Sequence, residues 1–268
     1  MRMLNFHILL ILIFIISAFI TGCTNSNQLN QLEKWDLVYI SDSTGWGVAE
    51  KYAENIKRDT GKTVQVKDYA IGALPAIEVL EALQADSGNV NIRERLQSLR
   101  SDVAEAEMIV LHVNELGEPS KGGVQGGMGQ CIDYQLGNPP DSCTIEMCQP
   151  YTDNLKSIYK EIFSLRNGQP TLIRATDLWN PIISEHRKRN IETACTRCWE
   201  IRNAAVRNAA DTFNIPFVNL YDEFNGLDHN EDPREKGYIG DDGMHASEKG
   251  RQAIADLLSE VGYYPVRN

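Results

Sequence analysis

Short apolar runs alternate along this chain with longer segments in which apolar residues recur every three or four positions. The short runs are rich in Val, Ile, Leu and aromatic residues and are bounded by polar or turn residues, a pattern that predicts β-strands. They are Asp36–Ile40, Thr63–Tyr69, Met108–Val113, Pro170–Ala175 and Ile215–Leu220.

The longer segments have the periodicity of amphipathic helices. They are Gly47–Thr60, Pro75–Gln84, Asn91–Glu105, Tyr151–Arg166, Pro181–Asn214 (with a break expected inside it) and Ala246–Val261. Strands that alternate with helices predict an α/β fold, in which a parallel sheet is covered by helices on both faces.

One region departs from this alternation. Residues 118–150 are rich in Gly and Pro, contain three cysteines and have no clear period. A segment of this length without regular structure is usually a functional insertion or a lid. It has too few large apolar residues to form a core of its own. We therefore expect a cysteine-rich insertion within one domain that spans residues 35–268.

The N-terminus has the features of an export signal. A basic residue at Arg2 precedes an apolar run that ends in small residues, Ile20-Thr21-Gly22-Cys23, and this ending resembles the lipobox of bacterial lipoproteins. By that resemblance residues 1–22 are removed, Cys23 carries the lipid, and the polar residues 23–34 form a tether. The alternatives are an uncleaved transmembrane anchor and an ordinary signal peptide. All three predict an extracytoplasmic domain.

The charge of the chain narrows the range of partners. The formal net charge is −11 at pH 7, and removal of residues 1–22, of which only Arg2 is charged, makes it −12. An acidic surface repels phosphates, which argues against nucleic-acid binding. We expect a small-molecule, glycan or lipid substrate.

Five cysteines follow Cys23, namely Cys131, Cys143, Cys148, Cys195 and Cys198. An exported protein favours disulfides. Two of the spacings, Cys143-(x4)-Cys148 and Cys195-(x2)-Cys198, are also compatible with a four-cysteine zinc site. The connectivity does not follow from the sequence, and the oligomeric state does not follow from it either.

Residues that can carry chemistry follow the predicted strands. In a parallel α/β sheet the ligand site lies beyond the carboxyl ends of the strands. Ser43 follows the first strand, Gly72 the second and Asn114 the third, whereas Asp242 and His245 lie in the loop before the last helix. A hydrolytic serine needs a base, a group that orients the base and donors for the oxyanion, and these residues supply each of them. Ser43 is equally suited to cap the helix that follows it.

The same residues carry a family resemblance. Ser41–Ser43, Gly72, His112–Asn114 and Asp242–His245 resemble, in order and spacing, the four blocks of the SGNH (GDSL-type) hydrolases. The resemblance implies a three-layer α/β/α sandwich around a five-stranded parallel sheet. It also implies a serine esterase that works through an acyl-enzyme, without a metal or an organic cofactor.

The resemblance assigns roles to the individual residues. Ser43 is the nucleophile, His245 the general base and Asp242 the residue that orients it. The oxyanion hole is formed by Ser43, Gly72 and Asn114.

Two positions depart from the family pattern, because Ser41 and His112 stand where the family has glycine. Their side chains could narrow the pocket, alter specificity or reduce activity, and the last of these leads to a second hypothesis, a surface binding protein with impaired catalysis. We expect His112 to be buried and hydrogen-bonded, and His186 and His229 to be solvated. Trp46 is expected to pack against the sheet or to line a substrate pocket.

Overall fold

The computed structural model describes residue 29 and residues 32–85, 93–113 and 144–266. Five parallel strands form one sheet in the order β2-β1-β3-β4-β5. The strands are β1 (Lys34–Ser41), β2 (Thr63–Ala70), β3 (Met108–His112), β4 (Leu172–Thr176) and β5 (Phe217–Val218). The predicted α/β/α sandwich with a five-stranded parallel sheet is confirmed.

The helices lie between the strands, as the alternating pattern predicts. They are α1 (Val48–Thr60), α2 (Ala76–Gln84), α3 (Leu99–Glu105), α4 (Ile145–Arg166), α5 (Ile183–Lys188), α6 (Glu192–Thr212), α7 (Leu220–Asn225) and α8 (Glu248–Glu260). Two short 3-10 turns, Ser43–Gly45 and Glu94–Leu96, precede α1 and α3.

The two faces of the sheet belong to two hydrophobic cores. Val38 and Ile40 of β1 pack with residues of α2, α3, α4 and α6 on one face. Leu37 and Tyr39 of the same strand pack with residues of α1, α7 and α8 on the other. Because successive side chains of a strand point to opposite faces, burial of all four requires helices on both sides of β1.

The fifth strand is shorter than predicted, and a helix replaces its end. Only Phe217 and Val218 pair with β4, and α7 begins at Leu220. Two side chains cap this helix start: Asn219 Oδ1 accepts a hydrogen bond from the backbone N–H of Asp222 at 3.0 Å, and Asp177 Oδ1 accepts from those of Leu220 at 2.6 Å and Tyr221 at 3.1 Å. A carboxylate that satisfies the first N–H groups of a helix stabilises the helix start. The Asn219 cap is local in the sequence, whereas the contribution of Asp177 could not be read from the strand period, because Asp177 lies far away in sequence.

The expected break in the long helical segment is confirmed at Asn190, which has a positive φ of 56° and separates α5 from α6. One other boundary differs from the prediction. Helix α4 begins at Ile145, inside the predicted insertion, and Tyr151 in its second turn donates a hydrogen bond to the carbonyl oxygen of Val113 at 2.7 Å. The structured end of the insertion is thus attached to the end of β3.

Several predictions concern residues outside the described part of the chain. The signal peptide, Cys23, Cys131, Cys143, Asn114 and residues 118–143 of the insertion are among them. Cys148, Cys195 and Cys198 are buried, and disulfide formation stays a prediction. Across residues 29–266, where they are described, no helix has the length and apolar character needed to cross a membrane.

Candidate active site

The first block of the resemblance forms a tight turn at the end of β1, here called the serine turn (Asp42–Gly47). Asp42 is buried, and its Oδ1 accepts a hydrogen bond from the backbone N–H of Thr44 at 2.8 Å. The cap of this turn is therefore the aspartate. Helix α1 starts only at Val48, after Gly47 in the left-handed conformation with φ 73°, so Ser43 does not cap it. The capping interpretation of Ser43 is wrong.

Ser41 is completely buried and does not enter the site. Its Oγ donates a hydrogen bond to the carbonyl oxygen of Asp42 at 2.7 Å. A Cβ placed on Gly45 would lie 2.2 Å from this Oγ, so the serine side chain fills the space that Gly45 leaves open. Ser41 therefore packs beneath the serine turn, which removes the expectation that its side chain narrows the pocket.

The last block brings a carboxylate and an imidazole together. His245 Nδ1 lies 2.7 Å from Asp242 Oδ2. The other carboxylate oxygen, Oδ1, accepts hydrogen bonds from the backbone N–H groups of Met244 and His245, both at 2.9 Å. These backbone bonds, together with the bond to His245, lower the pKa of Asp242 to about 2.

The ionised carboxylate fixes the tautomer of His245. An ionised carboxylate can only accept a hydrogen bond, so Nδ1 must carry the proton that it donates to Asp242. The other ring nitrogen, Nε2, is then unprotonated in the neutral imidazole and can accept a proton. This is the arrangement that a general base requires.

The loop that holds this pair depends on two glycines. Gly243 has a φ of 74°, a conformation that side chains rarely adopt, and it lets the chain turn between Asp242 and His245. Gly250 in α8 lies so close to Tyr238 that a Cβ would approach the tyrosine carbonyl oxygen to 2.1 Å. This close approach sets the start of α8 against the loop that carries the two catalytic candidates.

Trp46 connects the serine turn to His245. Its ring stacks on the imidazole, with centroids 4.9 Å apart and an interplanar angle of 24°. Its Nε1 donates a hydrogen bond to the carbonyl oxygen of Ala70 at 3.2 Å, and its backbone N–H donates to the carbonyl oxygen of Ser43 at 3.3 Å. One side chain thus brings the ends of β1 and β2 to the loop of Asp242 and His245. The sequence left its role open.

Gly72 also lies against Trp46. A Cβ on Gly72 would be 3.6 Å from the edge of the Trp46 ring, which places the end of β2 at the same side of the sheet as the serine turn. The next residue, Ala73, has a positive φ of 52°, and the N–H of Leu74 donates to the carbonyl oxygen of Ile71 at 3.1 Å. Gly72 therefore sits in a tight turn. Asn114, the third predicted oxyanion residue, lies outside the described residues.

Ser43 lies between Asp42 and Thr44 in the serine turn. Its side chain is partly exposed, and among the described residues no hydrogen bond joins Ser43 Oγ to His245. Such bonds are commonly long in unliganded enzymes and shorten when substrate is bound. The structure places Ser43, Gly72, Asp242 and His245 around Trp46.

The three remaining histidines that the sequence singled out are all at least partly buried. His112 is fully buried between Thr44 and Thr176, as expected, and burial lowers its pKa to about 4. His186 is also buried, and its Nδ1 lies 3.3 Å from Asn180 Nδ2, so the expectation of a solvated side chain is wrong there. His229 stacks on Tyr221 at 4.0 Å and is not freely solvated either.

No family model matches this chain, and no curated protein matches it. Among solved structures it is similar to the lipase Lip_vut3 from a goat rumen metagenome, with a TM-score of 0.64 and 18% identity over 87% of this chain and 100% of that one. It is also similar to a DUF4886 family protein from Bacteroides uniformis, with a TM-score of 0.51 and 14% identity over 86% of this chain and 83% of that one. The likeness is one of fold.

Sequence reasoning did not identify two residues that shape the site, Thr44 and Thr176. Both hold the buried His112, and neither belongs to a motif. Their only signal is position, because each lies at the carboxyl end of a strand or just beyond it. Within the described segments no cluster of three or more His, Cys, Asp or Glu side chains is arranged to hold a metal ion.

Proposed function

We propose that this protein is a serine hydrolase of carboxylic esters, with Ser43 as the nucleophile. The observation that carries the proposal is the Asp242–His245 pair at 2.7 Å, covered by a tryptophan from the serine turn itself. An oriented imidazole with an unprotonated Nε2, next to a turn that presents a partly exposed serine, is the arrangement of nucleophilic catalysis.

In this mechanism His245 Nε2 takes the proton of Ser43 Oγ while Oγ attacks the carbonyl carbon of the ester. The tetrahedral intermediate carries its negative charge on the former carbonyl oxygen, which accepts hydrogen bonds from the N–H groups of Ser43 and Gly72 and from the predicted Asn114 amide. His245 then gives the proton to the leaving alcohol, and an acyl-enzyme remains.

Water completes the cycle. His245 removes a proton from a water molecule that attacks the acyl carbon, and the second tetrahedral intermediate collapses to the free acid and regenerated Ser43. Throughout, the ionised Asp242 holds the imidazole in one tautomer and stabilises the imidazolium that forms.

The exposed ring of Trp46 favours ester substrates, small or extended, that have an apolar part or a ring to pack against it. The side chain is 43% exposed although it contacts both His245 and the Gly72 turn. A flat aromatic surface beside the reacting atoms provides apolar area at little conformational cost. Acylated sugars, lipid esters and simple esters all remain within this class.

A direct test uses an activated short-chain ester. The purified protein should hydrolyse it, and Ser43→Ala should lower kcat at least about a thousandfold while the unfolding midpoint in urea stays close to that of the wild type. Ser101→Ala, at an exposed serine of α3, serves as a matched control and should leave kcat unchanged. Equal turnover by the wild type and Ser43→Ala would refute the role of Ser43.

The second candidate function is a binding protein that keeps the fold without the chemistry. It is favoured by the lack of a Ser43–His245 hydrogen bond among the described residues. The buried position of Ser41 weakens it, because that departure from the family pattern no longer obstructs the site. A folded wild-type protein that never forms an acyl-enzyme with an activated ester would favour this candidate.

The location of the protein is a separate proposal. We propose that Cys23 is lipidated and anchors the domain outside the cytoplasm, on the resemblance of residues 20–23 to a lipobox. Expression of the full chain in a bacterial host should give a protein in the membrane fraction, and Cys23→Ala should leave an uncleaved precursor with a larger mass. An identical mass for both chains would contradict lipidation at Cys23.

A further inference from the structure

A chain of four polar side chains, three of them buried and Thr44 half-buried, connects the serine turn to the ends of β3 and β4. Thr176 Oγ1 lies 2.6 Å from His112 Nδ1, and His112 Nε2 lies 2.7 Å from Thr44 Oγ1. Thr44 Oγ1 in turn contacts Asp42 Oδ1. Three separate strand ends meet in this chain, and its last two members flank Ser43.

The proton positions along this chain follow from the chemistry of its members. Asp42 Oδ1 already accepts a hydrogen bond from the backbone N–H of Thr44, so it is an acceptor and the single Thr44 hydroxyl proton is directed to it. Thr44 Oγ1 must then accept from His112, so Nε2 carries the imidazole proton. His112 Nδ1 accepts from the Thr176 hydroxyl. Every donor has one acceptor, and the chain runs in one direction from Thr176 to Asp42.

Burial makes the bond between Thr176 and His112 difficult to replace, and the bonds to the half-buried Thr44 each have one buried partner. His112 is 0% exposed, and Asp42 and Thr176 are each 1% exposed. A buried polar group that loses its partner bears a desolvation penalty, because water cannot replace the partner. His112 also packs on Trp179, with ring centroids 5.9 Å apart, so its ring has little freedom to turn. Thr176 thus fixes the imidazole through Nδ1, and the imidazole fixes Thr44 through Nε2.

We propose that His112 is a positioning residue, which fixes the serine turn through Thr44 and Asp42 and thereby sets the place of the Ser43 hydroxyl. The proposal rests on the proposed role of Ser43, since its effect on turnover requires a nucleophile there. It explains a histidine at a position where the resembled family has glycine. Where a glycine would leave the backbone flexible, the imidazole of His112 provides a hydrogen-bond donor at a fixed position.

The test uses two amides that each imitate one half of the imidazole. An asparagine places its amide near the position of Nδ1, so His112→Asn keeps an acceptor for Thr176 and loses the donor to Thr44. A glutamine reaches the position of Nε2, so His112→Gln keeps a donor to Thr44 and loses the acceptor for the Thr176 hydroxyl. Both variants lose the imidazole ring and its packing on Trp179, so the loss of stability from this contact should be similar in the two.

Positioning predicts different kinetics for the two variants. We expect His112→Asn to lower kcat about 10- to 100-fold with little change in KM, because a misplaced nucleophile affects the reaction step more than ground-state binding. His112→Gln should recover most of that loss. Thr44→Val and Thr44→Ser form a second pair, in which the serine keeps the hydroxyl and should restore kcat relative to the valine.

Two controls separate positioning from general destabilisation. Ile158→Val, in a core helix on the sheet face opposite α1, should lower stability with unchanged kcat. Hydrogen–deuterium exchange of residues 42–47 gives a readout that needs no turnover. Exchange should be faster in His112→Asn than in His112→Gln.

The possible outcomes are distinct. Equal kcat and equal exchange in His112→Asn and His112→Gln would overturn the positioning role even if Ser43 proves to be the nucleophile. A wild-type protein without turnover would overturn the proposed function, and the exchange data would still decide whether His112 holds the serine turn.

Discussion

The packing of Ser41 under the serine turn makes a quantitative prediction about Gly45. A Cβ at Gly45 would meet Ser41 Oγ at 2.2 Å, Ser41 Cβ at 2.7 Å and a ring carbon of Tyr39 at 2.8 Å. Gly45 does not have a positive φ, so an alanine there meets no backbone strain. The entire effect of Gly45→Ala should therefore come from these three contacts, and overpacking of this kind destabilises by about 1–3 kcal/mol.

Because two of the three contacts belong to Ser41, a second substitution should relieve them. Ser41→Gly removes both Ser41 contacts, whereas Ser41→Ala removes only the one at 2.2 Å. In a double-mutant cycle with Gly45→Ala, we expect a favourable coupling of about 1–2 kcal/mol for Ser41→Gly and a smaller one for Ser41→Ala. The single variants supply the reference, since each Ser41 change also loses the hydrogen bond to the Asp42 carbonyl oxygen.

The measurement is equilibrium unfolding in urea, followed by far-UV circular dichroism for the wild type, the three single variants and the two double variants. Equal m-values would show that all six unfold between comparable states. Additive effects, within about 0.5 kcal/mol in both cycles, would refute the packing of Ser41 against Gly45.

Three further predictions concern titratable groups. In Asp242→Asn the side-chain oxygen should keep the two backbone N–H groups, so the amide nitrogen faces His245 Nδ1, forces the proton to Nε2 and lowers kcat about 10³- to 10⁴-fold in the ester assay. Burial lowers the pKa of His112 to about 4, so the unfolded chain binds a proton that the folded protein does not between pH 4 and 6.5. Stability should fall by up to about 3 kcal/mol as the pH drops through this window, and His112→Gln should flatten the fall in urea titrations. Burial raises the pKa of Asp177 to about 7, so the folded state binds the extra proton and stability falls as the pH rises from 4 to 7. Asp177→Asn, which keeps the acceptor for Leu220 and Tyr221, should be about 1–3 kcal/mol more stable than the wild type at pH 8 by the same titration.

The fold was predictable because its signals are local. Each strand of the sheet appears in the sequence as a short apolar run, and alternation of strands with helices leaves few arrangements other than a parallel sheet with two covered faces. One error occurred where a distant side chain contributes to the local structure. Leu220 looked like the end of a strand, and the side chain of Asp177, together with the neighbouring cap Asn219, makes it the first residue of a helix.

The sequence motifs of the site could be predicted, whereas the contacts between its side chains could not. Ser43, Gly72 and Asp242–His245 stand out because strand ends and order along the chain are visible in the sequence. Trp46 and Thr44 do not, because their importance comes from stacking on His245 and from contact with His112, which depend on the folded chain. The burial of Ser41 is of the same kind, since only the packing against Gly45 shows that its side chain leaves the site open.

The central claim, that Ser43 is a nucleophile activated by His245, is tested most directly by covalent labelling. A fluorophosphonate probe should add one phosphonyl group to the wild-type protein, and peptide mapping by mass spectrometry should place it on Ser43. Labelling should be absent in Ser43→Ala and slower by several orders of magnitude in His245→Ala. A folded wild-type protein that stays unlabelled, or a label on another residue, would contradict the claim.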